Sequence, residues 1–217
     1  MASALTIIIA DDHPLFRGAL KQALTGMAGN PDIVEAGDFE AARKAAETHP
    51  DADLLLLDLA MPGVSGLSGL IALRAEFQSL PVVIVSASDD PATIRRALDL
   101  GASGFISKSA SIDDIREGIG SVLEGNVYTP GGYVRAPEQD GEVADLIARL
   151  RTLTPQQSRV LAMLAEGLLN KQIAYELGVS EATIKAHVSA ILLKLNVDSR
   201  TQAVIQLGKI GAAQAAA

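Results

Sequence analysis

Short apolar segments alternate five times with helical patterns over residues 1–125, and this alternation limits the choice of fold more than any other property of the sequence. The segment Leu54–Leu57 is apolar throughout, which is typical of a strand covered on both faces in a parallel sheet. Strands that alternate with helices favour an α/β fold with a doubly wound parallel sheet, here of the (βα)5 kind. The strands are predicted at Leu5–Ala10, Ile33–Ala36, Leu54–Leu57, Val82–Val85 and Gly104–Ile106. The helices that follow them are predicted at Leu15–Met27, Phe39–Thr48, Leu67–Phe77, Ala92–Leu100 and Ile112–Leu123.

The composition excludes several kinds of active site. The chain has 217 residues, 48% of them hydrophobic, which is enough for two domains with substantial cores. It contains no cysteine, so disulfides, thiolate zinc sites and cysteine nucleophiles are excluded. The three histidines, His13, His49 and His187, do not have the spacing of a zinc site, so any metal is expected to be hard and oxygen-bound. No apolar run approaches the roughly 18 residues of a membrane span, and the N-terminus does not resemble a secretory signal, so we expect a cytoplasmic protein without membrane contact.

The charge is distributed unevenly along the chain. The formal net charge is -8, yet residues 1–150 hold 11 Lys/Arg against 22 Asp/Glu, whereas residues 151–217 hold 7 against 4. This difference predicts an acidic domain joined to a mildly basic one, and a basic domain is the better candidate for contact with nucleic acid.

Carboxylates follow two of the predicted strands directly. Asp11 and Asp12 come after the first strand and Asp58 after the third, and these strands are neighbours if the strand order is 2-1-3-4-5. Because burying a charge is costly, we expect Asp58 at the rim of a site rather than in the core. Three clustered carboxylates repel one another unless a cation lies among them, and an open oxygen-lined site suits Mg²⁺. With the cation bound, a carboxylate oxygen of Asp58 can attack a phosphoryl group.

Two further strand ends complete this predicted pocket. Ser86 follows the fourth strand and Lys108 the fifth, so a hydroxyl and an ammonium can both reach phosphoryl oxygens. Taken singly, Ser86 is ordinarily a turn hydroxyl and Lys108 a surface charge. Their occurrence together with the carboxylates, in the right order at four strand ends, favours a phosphoryl-transfer site.

Residues 1–125 resemble the receiver domain of response regulators. The family pattern is an acidic pair after the first strand, a phosphoacceptor aspartate, a Ser/Thr after the fourth strand and a lysine after the fifth. The matching residues are Asp11, Asp12, Asp58, Ser86 and Lys108. The resemblance implies a flavodoxin-like fold, phosphorylation of Asp58 by a sensor histidine kinase, and a movement of Ser86 and Phe105 on phosphorylation. A buried core aromatic is the alternative for Phe105. The implied Mg²⁺ ligands are the side chains of Asp11, Asp12 and Asp58 and the backbone carbonyl of Ala60.

Residues 126–150 are predicted to be a linker. The segment Asn126–Gly141 is rich in Pro and Gly and indicates turns. The four apolar residues that follow, Val143, Leu146, Ile147 and Leu150, have helical spacing and form an apolar stripe. This stripe can pack on either domain or on a second copy of the chain, and the sequence does not distinguish these alternatives.

Residues 151–217 are predicted to form a small all-α domain of four short helices. Lys171–Leu177 and Glu181–Leu195, separated by a turn at Gly178, have the arrangement of a helix-turn-helix. The segment Leu153–Leu207 resembles the LuxR/NarL-type DNA-binding domain, with Asn-Lys-Gln-Ile-Ala, Leu-Gly-Val-Ser and Thr-Ile-Lys-Ala-His-Val in order. The resemblance implies binding to double-stranded DNA.

The contacts with DNA follow from the helix-turn-helix prediction. By family position, Lys185, Ala186 and Ser189 face the bases. Candidates for phosphate contacts are Thr183, Lys171 and Ser180, with Lys194 and Arg200 as weaker ones. For any lysine other than Lys185, a solvated surface is the ordinary alternative. Residues 151–217 have a net charge of only +3, which favours DNA binding by two copies of the chain. Family analogy places a dimer surface at Ala203, Val204 and Leu207. The alternative role of these three residues is packing within their own domain.

The sequence thus predicts a two-component transcription regulator with Mg²⁺ as cofactor, a histidine kinase and DNA as partners, and a homodimer as the active form. It is not expected to be an enzyme beyond its own phosphoryl transfer and dephosphorylation. One alternative is a phosphohydrolase with an aspartyl-phosphate intermediate, but such enzymes carry a second acid two residues after the nucleophile, where this chain has Ala60. Another is a receiver that no longer needs phosphate, which the intact acidic pair disfavours.

Overall fold

A parallel five-stranded sheet forms the first part of the computed structural model, which describes residues 5–27, 30–64, 66–135 and 141–211. The strand order is β2-β1-β3-β4-β5, as predicted, so β1 and β3 are neighbours. Residues 136–140 of the predicted linker and 212–217 of the predicted second domain lie outside the described residues. The strands are β1 (Thr6–Ala10), β2 (Asp32–Ala36), β3 (Leu54–Asp58), β4 (Val82–Ser86) and β5 (Gly104–Ser107). The intervening helices are α1 (Pro14–Leu24), α2 (Phe39–Thr48), α3 (Ser68–Glu76), α4 (Pro91–Asp99) and α5 (Ile112–Leu123).

Helices cover both faces of the sheet, as the uninterrupted apolar strands predict. Leu54 and Leu56 of β3 belong to an apolar cluster with α1 and α5. Leu55 and Leu57 belong to a second cluster on the opposite face, with α2, α3 and α4. Every residue of β3 is therefore buried, including Asp58 at its carboxyl end.

Capping residues set the helix boundaries close to the predicted ones. The side chain of Asp38 accepts a hydrogen bond from the Ala41 N–H at the start of α2, and Asp90 caps α4 in the same way. Helix α1 was predicted to extend to Met27, but it ends at Leu24. Gly26, with a φ of +88°, lies in the left-handed region, where the helix cannot continue.

Residues 141–211 form five more helices: α6 (Gly141–Leu150), α7 (Pro155–Ala165), α8 (Asn170–Glu176), α9 (Glu181–Leu195) and α10 (Arg200–Gly211). The apolar stripe of α6 is buried, and this helix contacts α9 and α10. Arg149 Nη1 adds a hydrogen bond to the Leu195 carbonyl at 3.2 Å. Of the three alternatives for the linker helix, the structure therefore shows packing on the helix-turn-helix part of the chain.

The two parts of the chain meet where α3 packs against α7. Ile71 of α3 and Ser158 and Ala162 of α7 are buried, and one apolar cluster runs from the sheet through α3 into the last five helices. Arg159 Nε lies 3.1 Å from Glu76 Oε1 and forms an ion pair across the contact. Within the described residues, no helix is both long and apolar enough to span a bilayer.

Candidate functional sites

The pairing of β1 with β3 brings the predicted carboxylates together. Ala10 lies opposite Leu57 in this parallel pair, so the next residues, Asp11 and Asp58, emerge side by side at the carboxyl edge of the sheet. One side-chain ligand atom from each of Asp11, Asp12, His13 and Asp58 lies within 4.8 Å of the others. The structure therefore brings together the three carboxylates that the sequence assigns to one site.

Lys108 joins this cluster from β5. Its backbone N–H donates to the Ser86 carbonyl at 2.7 Å, which fixes the chain as it leaves β5 beside the end of β4. Its Nζ lies 2.8 Å from Asp58 Oδ2 and 2.7 Å from Asp11 Oδ2. Burial lowers the pKa of the Lys108 ammonium, but the hydrogen bonds and charges of Asp11 and Asp58 outweigh burial, so its pKa lies above the ordinary value for lysine.

Asp58 was predicted to lie at the rim of a site rather than in the core, but its side chain is more deeply buried than this prediction implied. The side chain is only 2% exposed, and Asp11 is 1% exposed. Burial is tolerated because the ammonium of Lys108 stands between the two carboxylates and because the Ala60 N–H donates to Asp58 Oδ1 at 3.2 Å. Asp58 nevertheless lines an open cavity, so its carboxylate is accessible from one side.

The charges of this cluster suit a divalent cation. Lys108 supplies one positive charge against the carboxylates of Asp11, Asp12 and Asp58, which leaves an excess of two negative charges at short separation. Like charges at such distances are unfavourable when they are partly buried. A hard divalent ion with oxygen ligands would neutralise the excess, so the residues present fit Mg²⁺.

A cavity of about 650 Å³ is lined by Asp58 and Lys108 of this cluster. Ser86 lines one side, and its hydroxyl accepts a hydrogen bond from the Ser88 N–H at 3.2 Å. Helix α1 contributes an apolar part of the lining, with Leu15, which is 92% exposed, and Phe16. A phosphoryl group entering this cavity would meet the acceptor carboxylate together with a hydroxyl and an ammonium.

Phe105 is a buried core aromatic, which was the alternative to its role as a switch residue. It is 0% exposed, lies opposite Ile84 of β4 and packs in the cluster on the α2–α4 face. Its N–H donates to the Tyr128 carbonyl at 2.9 Å. A change of its position on phosphorylation stays a prediction.

His13, which precedes α1, and Phe16 of α1 also contribute to the site, although the sequence pattern assigned neither of them to it. His13 occupies the N-cap position before Pro14, and its Nδ1 lies 2.6 Å from Asp12 Oδ1. The ring centroid of Phe16 lies 5.0 Å from Lys108 Nζ. The sequence signal was the proximity of both residues to the acidic pair, because a helix that begins directly after β1 must present its first turn to the site.

The second candidate site is the outward face of α9. The chain turns between α8 and α9 at Gly178, whose φ is +63°. The three residues predicted to face bases are all exposed: Lys185, Ala186 and Ser189. Lys185 Nζ forms an ion pair with Glu181 at 3.1 Å, and the Ser189 hydroxyl donates to the Lys185 carbonyl at 3.0 Å. This face is therefore open to solvent in the arrangement in which α3 packs against α7.

The predicted phosphate contacts divide into two groups. Ser180 and Thr183 are exposed at the start of α9, with their hydroxyl oxygens 2.8 Å apart, and Lys171 is exposed on α8. The two weaker candidates hold the domain together, since Lys194 Nζ donates to the Thr152 carbonyl and Gln157 Oε1, and Arg200 donates to the Leu168 carbonyl.

The predicted dimer surface is wrong for two of its three residues. Ala203 is 0% exposed and Leu207 is 7% exposed, and both belong to the apolar core, while Val204 is half-buried against it. The physical reason is that α10 turns its apolar stripe toward α6, α7 and α9. The alternative role, packing within their own domain, describes these residues.

Known sequences and structures match nearly the whole chain. The response regulator receiver domain matches residues 7–120, and the family of bacterial regulatory proteins of the luxR type matches residues 151–207. The glycerol metabolism activator of Pseudomonas putida is 45% identical over 94% of this chain and 95% of its own length. The nitrate/nitrite response regulator protein NarP of Escherichia coli K12 is 37% identical over 94% of both chains.

A solved structure of similar architecture includes DNA. RcsB from Salmonella enterica serovar Typhimurium, bound to promoter P1flhDC in the presence of the phosphomimetic BeF3-, is 27% identical. The match covers 96% of this chain and 100% of that one, with a TM-score of 0.56. Together with the site geometry, these matches establish that the chain belongs to the response regulators of the NarL/LuxR type, transcription regulators with a receiver domain followed by a DNA-binding helix-turn-helix.

Proposed function

We propose that a sensor histidine kinase phosphorylates Asp58 and that phosphorylation controls binding of a homodimer to double-stranded DNA. The observation that carries this proposal is the position of Asp58, buried beside Asp11 and Lys108 yet lining an open cavity. A protein that reads chromosomal DNA in a bacterium works in the cytoplasm. Domain boundaries near residues 125 and 151 are part of the same proposal, and the luxR-type match begins at residue 151.

The phosphoryl transfer uses residues of this chain in defined roles. A carboxylate oxygen of Asp58 forms a bond to phosphorus, while the bond from phosphorus to the donor's imidazole nitrogen breaks and its electron pair stays on that nitrogen. Lys108 and the Ser86 hydroxyl donate to the oxygens of the transferred group. The receiver acts only on itself, by taking up the phosphoryl group and by hydrolysing it.

The cofactor proposed for this transfer is Mg²⁺. Its ligands would be the carboxylates of Asp11, Asp12 and Asp58 and the backbone carbonyl of Ala60, which is exposed at the cavity. When bound, the cation neutralises the charge on the oxygens of the phosphoryl group. Ala60 carries no acid, which is the feature that disfavours a phosphohydrolase.

The proposed DNA contact rests on the exposed face of α9. Lys185, Ala186 and Ser189 are accessible there. Lys171, Ser180 and Thr183 are exposed near the starts of α8 and α9 and are the proposed phosphate contacts of a helix in the major groove. The relative RcsB was solved on a promoter with a phosphomimetic present, which supports the same use here. Ala203 and Leu207 of α10 are buried in the apolar core, so we do not assign the contact between the two copies of the homodimer to them.

The experiment is genome-wide DNA footprinting of the wild type and the Asp58→Asn variant in the native host. We expect discrete protected sites for the wild type that weaken or disappear in the variant. Asp51→Asn, an exposed aspartate in the turn before β3, is the matched control and should keep the wild-type footprint. Identical footprints for wild type and Asp58→Asn would contradict control through Asp58, and the absence of any protected site would contradict the DNA-binding role.

A further inference from the structure

The side chain of Lys108 has three neighbours at its charged end, and one of them is not an anion. Asp11 and Asp58 pair with its Nζ, whereas the ring of Phe16 lies with its centroid 5.0 Å from the same atom. The Lys108 side chain is only 15% exposed, so water contributes little to holding its ammonium. The ring is thus a substantial part of the environment of this charge.

The face of an aromatic ring attracts a cation at this distance. The negative face of the ring quadrupole interacts with an ammonium within about 6 Å of the centroid, and the attraction grows when water is excluded. Lysine has four rotatable bonds and pays a large entropy cost when its ammonium is fixed. A ring that favours one position of the ammonium reduces the number of arrangements that compete with the position between the carboxylates.

The start of α1 fixes where this ring lies. Pro14 occupies the first helical position, where its locked φ suits the helix, and the Phe16 N–H donates to the His13 carbonyl at 3.0 Å. Phe16 is half-buried and packs against the apolar cluster between the sheet and α1 and α5. The backbone that carries the ring is therefore fixed by α1, and the ring has apolar packing partners besides Lys108.

We infer that Phe16 is a positioning residue that holds the Lys108 ammonium between Asp11 and Asp58 through its ring face. This inference rests on the proposed function, because the position of Lys108 matters for phosphoryl transfer to Asp58. Phe16 itself does not touch the reacting atoms; it acts through the lysine. Weakening the ring face should slow phosphoryl uptake, while apolar packing alone should not restore it.

The test replaces Phe16 by site-specifically incorporated mono-, di- and trifluorinated phenylalanines, which weaken the ring face and change its size little. With acetyl phosphate and Mg²⁺ as the probe, the labelling rate should fall stepwise, by about two- to fivefold in total. Phe16→Trp should be labelled at a rate close to that of the wild type, whereas Phe16→Leu should be labelled slowly. The same fluorination at Phe77, a half-buried phenylalanine that follows α3, is the control and should leave the rate unchanged.

A second readout does not depend on phosphorylation. In ¹⁵N NMR, the Lys108 ammonium should give a slowly exchanging signal in the wild type and in Phe16→Trp, and this signal should be lost in Phe16→Leu. The inference would be overturned if Phe16→Leu had the same labelling rate and the same ammonium signal as the wild type. It would also be overturned if Phe16→Leu and Phe16→Trp lost labelling rate and ammonium signal equally, because that result would indicate packing alone. Absence of labelling in the wild type would contradict the proposed function, and the ammonium signal would still decide the role of Phe16.

Discussion

At the scale of single residues, the site depends on how a buried carboxylate is compensated. Asp58 is nearly inaccessible from outside its cavity, and Lys108 balances only part of the charge that Asp58 shares with Asp11 and Asp12. The ammonium and a divalent cation both favour the same oxygens, because both are attracted to the excess of negative charge. Lys108 therefore has two opposing effects, since it stabilises the cluster in the absence of a cation and competes with the cation for it.

Substitution of Lys108 by Met tests this competition. Removal of the ammonium leaves three carboxylates without their counter-charge, so Mg²⁺ should bind more tightly, by about tenfold. Titration calorimetry with Mg²⁺ measures the change directly. Lys44→Met, at an exposed lysine paired with Glu47 on α2, is the control and should bind Mg²⁺ as the wild type does. Unchanged or weaker binding by Lys108→Met would show that the ammonium does not compete with the cation.

The sequence was sufficient to identify the residues of the acidic site but not their degree of burial. Asp11 and Lys108 follow β1 and β5, and Asp58 and Ser86 are the last residues of β3 and β4. Because parallel strands end at one edge of the sheet, the proximity of these residues follows from topology. The burial of Asp58 depends on the reach of Lys108 across β4, which is a side-chain property that no spacing encodes. The contact of Phe16 with Lys108 was missed for the same reason.

At the scale of helices and strands, the pattern of apolar residues predicted which elements form better than it predicted which elements pack against one another. All five strands and α1 to α5 were predicted near their observed positions, because buried parallel strands and capped helices have strong local signals. The stretch Ser68–Leu73 of α3 is buried all round, and a helix without a polar face signals contact on two sides. The packing of α7 on α3 uses that second side. The partner itself could not be predicted, since many apolar helices would fit it.

Helix α9 should bind DNA through its exposed face. Lys185→Ala should weaken binding to an operator fragment by about 1–3 kcal/mol, because the substitution removes a long cationic donor from that face. Electrophoretic mobility shifts at fixed salt measure the loss. The control is Lys209→Ala, which removes an exposed lysine of α10 that pairs with Glu142 of α6. This substitution should change binding little. Equal binding by wild type and Lys185→Ala would move base readout to other residues.

At the scale of the whole molecule, the two domains share one apolar cluster while the DNA-facing helix remains exposed. The contact between α3 and α7 therefore does not cover Lys185, Ala186 or Ser189 in this arrangement. Because α9 is not masked in this arrangement, control of DNA binding that starts from it would act through the pairing of two copies or through the orientation of the domains. Asp58 and the contact are close along the chain, since β3 leads through one loop into α3.

Glu76 makes the contact between the domains sensitive to pH. Burial raises the pKa of the Glu76 carboxyl, and the charges of Arg159 and Arg43 offset this only in part. The folded protein thus binds this proton more tightly than the unfolded chain, so stability falls as pH rises from the unfolded pKa through the raised folded pKa. Glu76→Gln should therefore raise the Tm by about 1–2 °C at pH 7.5, and the gain should vanish near pH 4.5.

Calorimetric melting of matched variants checks this prediction. Glu47→Gln is the control, because its hydrogen bond to Lys44 lowers the pKa of the Glu47 carboxyl and its removal should give no gain at neutral pH. A lower Tm for Glu76→Gln at pH 7.5 would mean that the ion pairs of Glu76 with Arg43 and Arg159 outweigh the cost of burying its charge.

The assignment of Asp58 as phosphoacceptor underlies the other predictions for the receiver. Its most direct measurement is labelling by acetyl phosphate in Mg²⁺, followed by reduction of the acyl phosphate with borohydride and mass spectrometry of the peptides. We predict one modified residue, Asp58, with no modification in Asp58→Asn or in the presence of EDTA, and wild-type modification in Asp51→Asn. Modification of another aspartate in the wild type, or equal labelling of Asp58→Asn, would contradict the account.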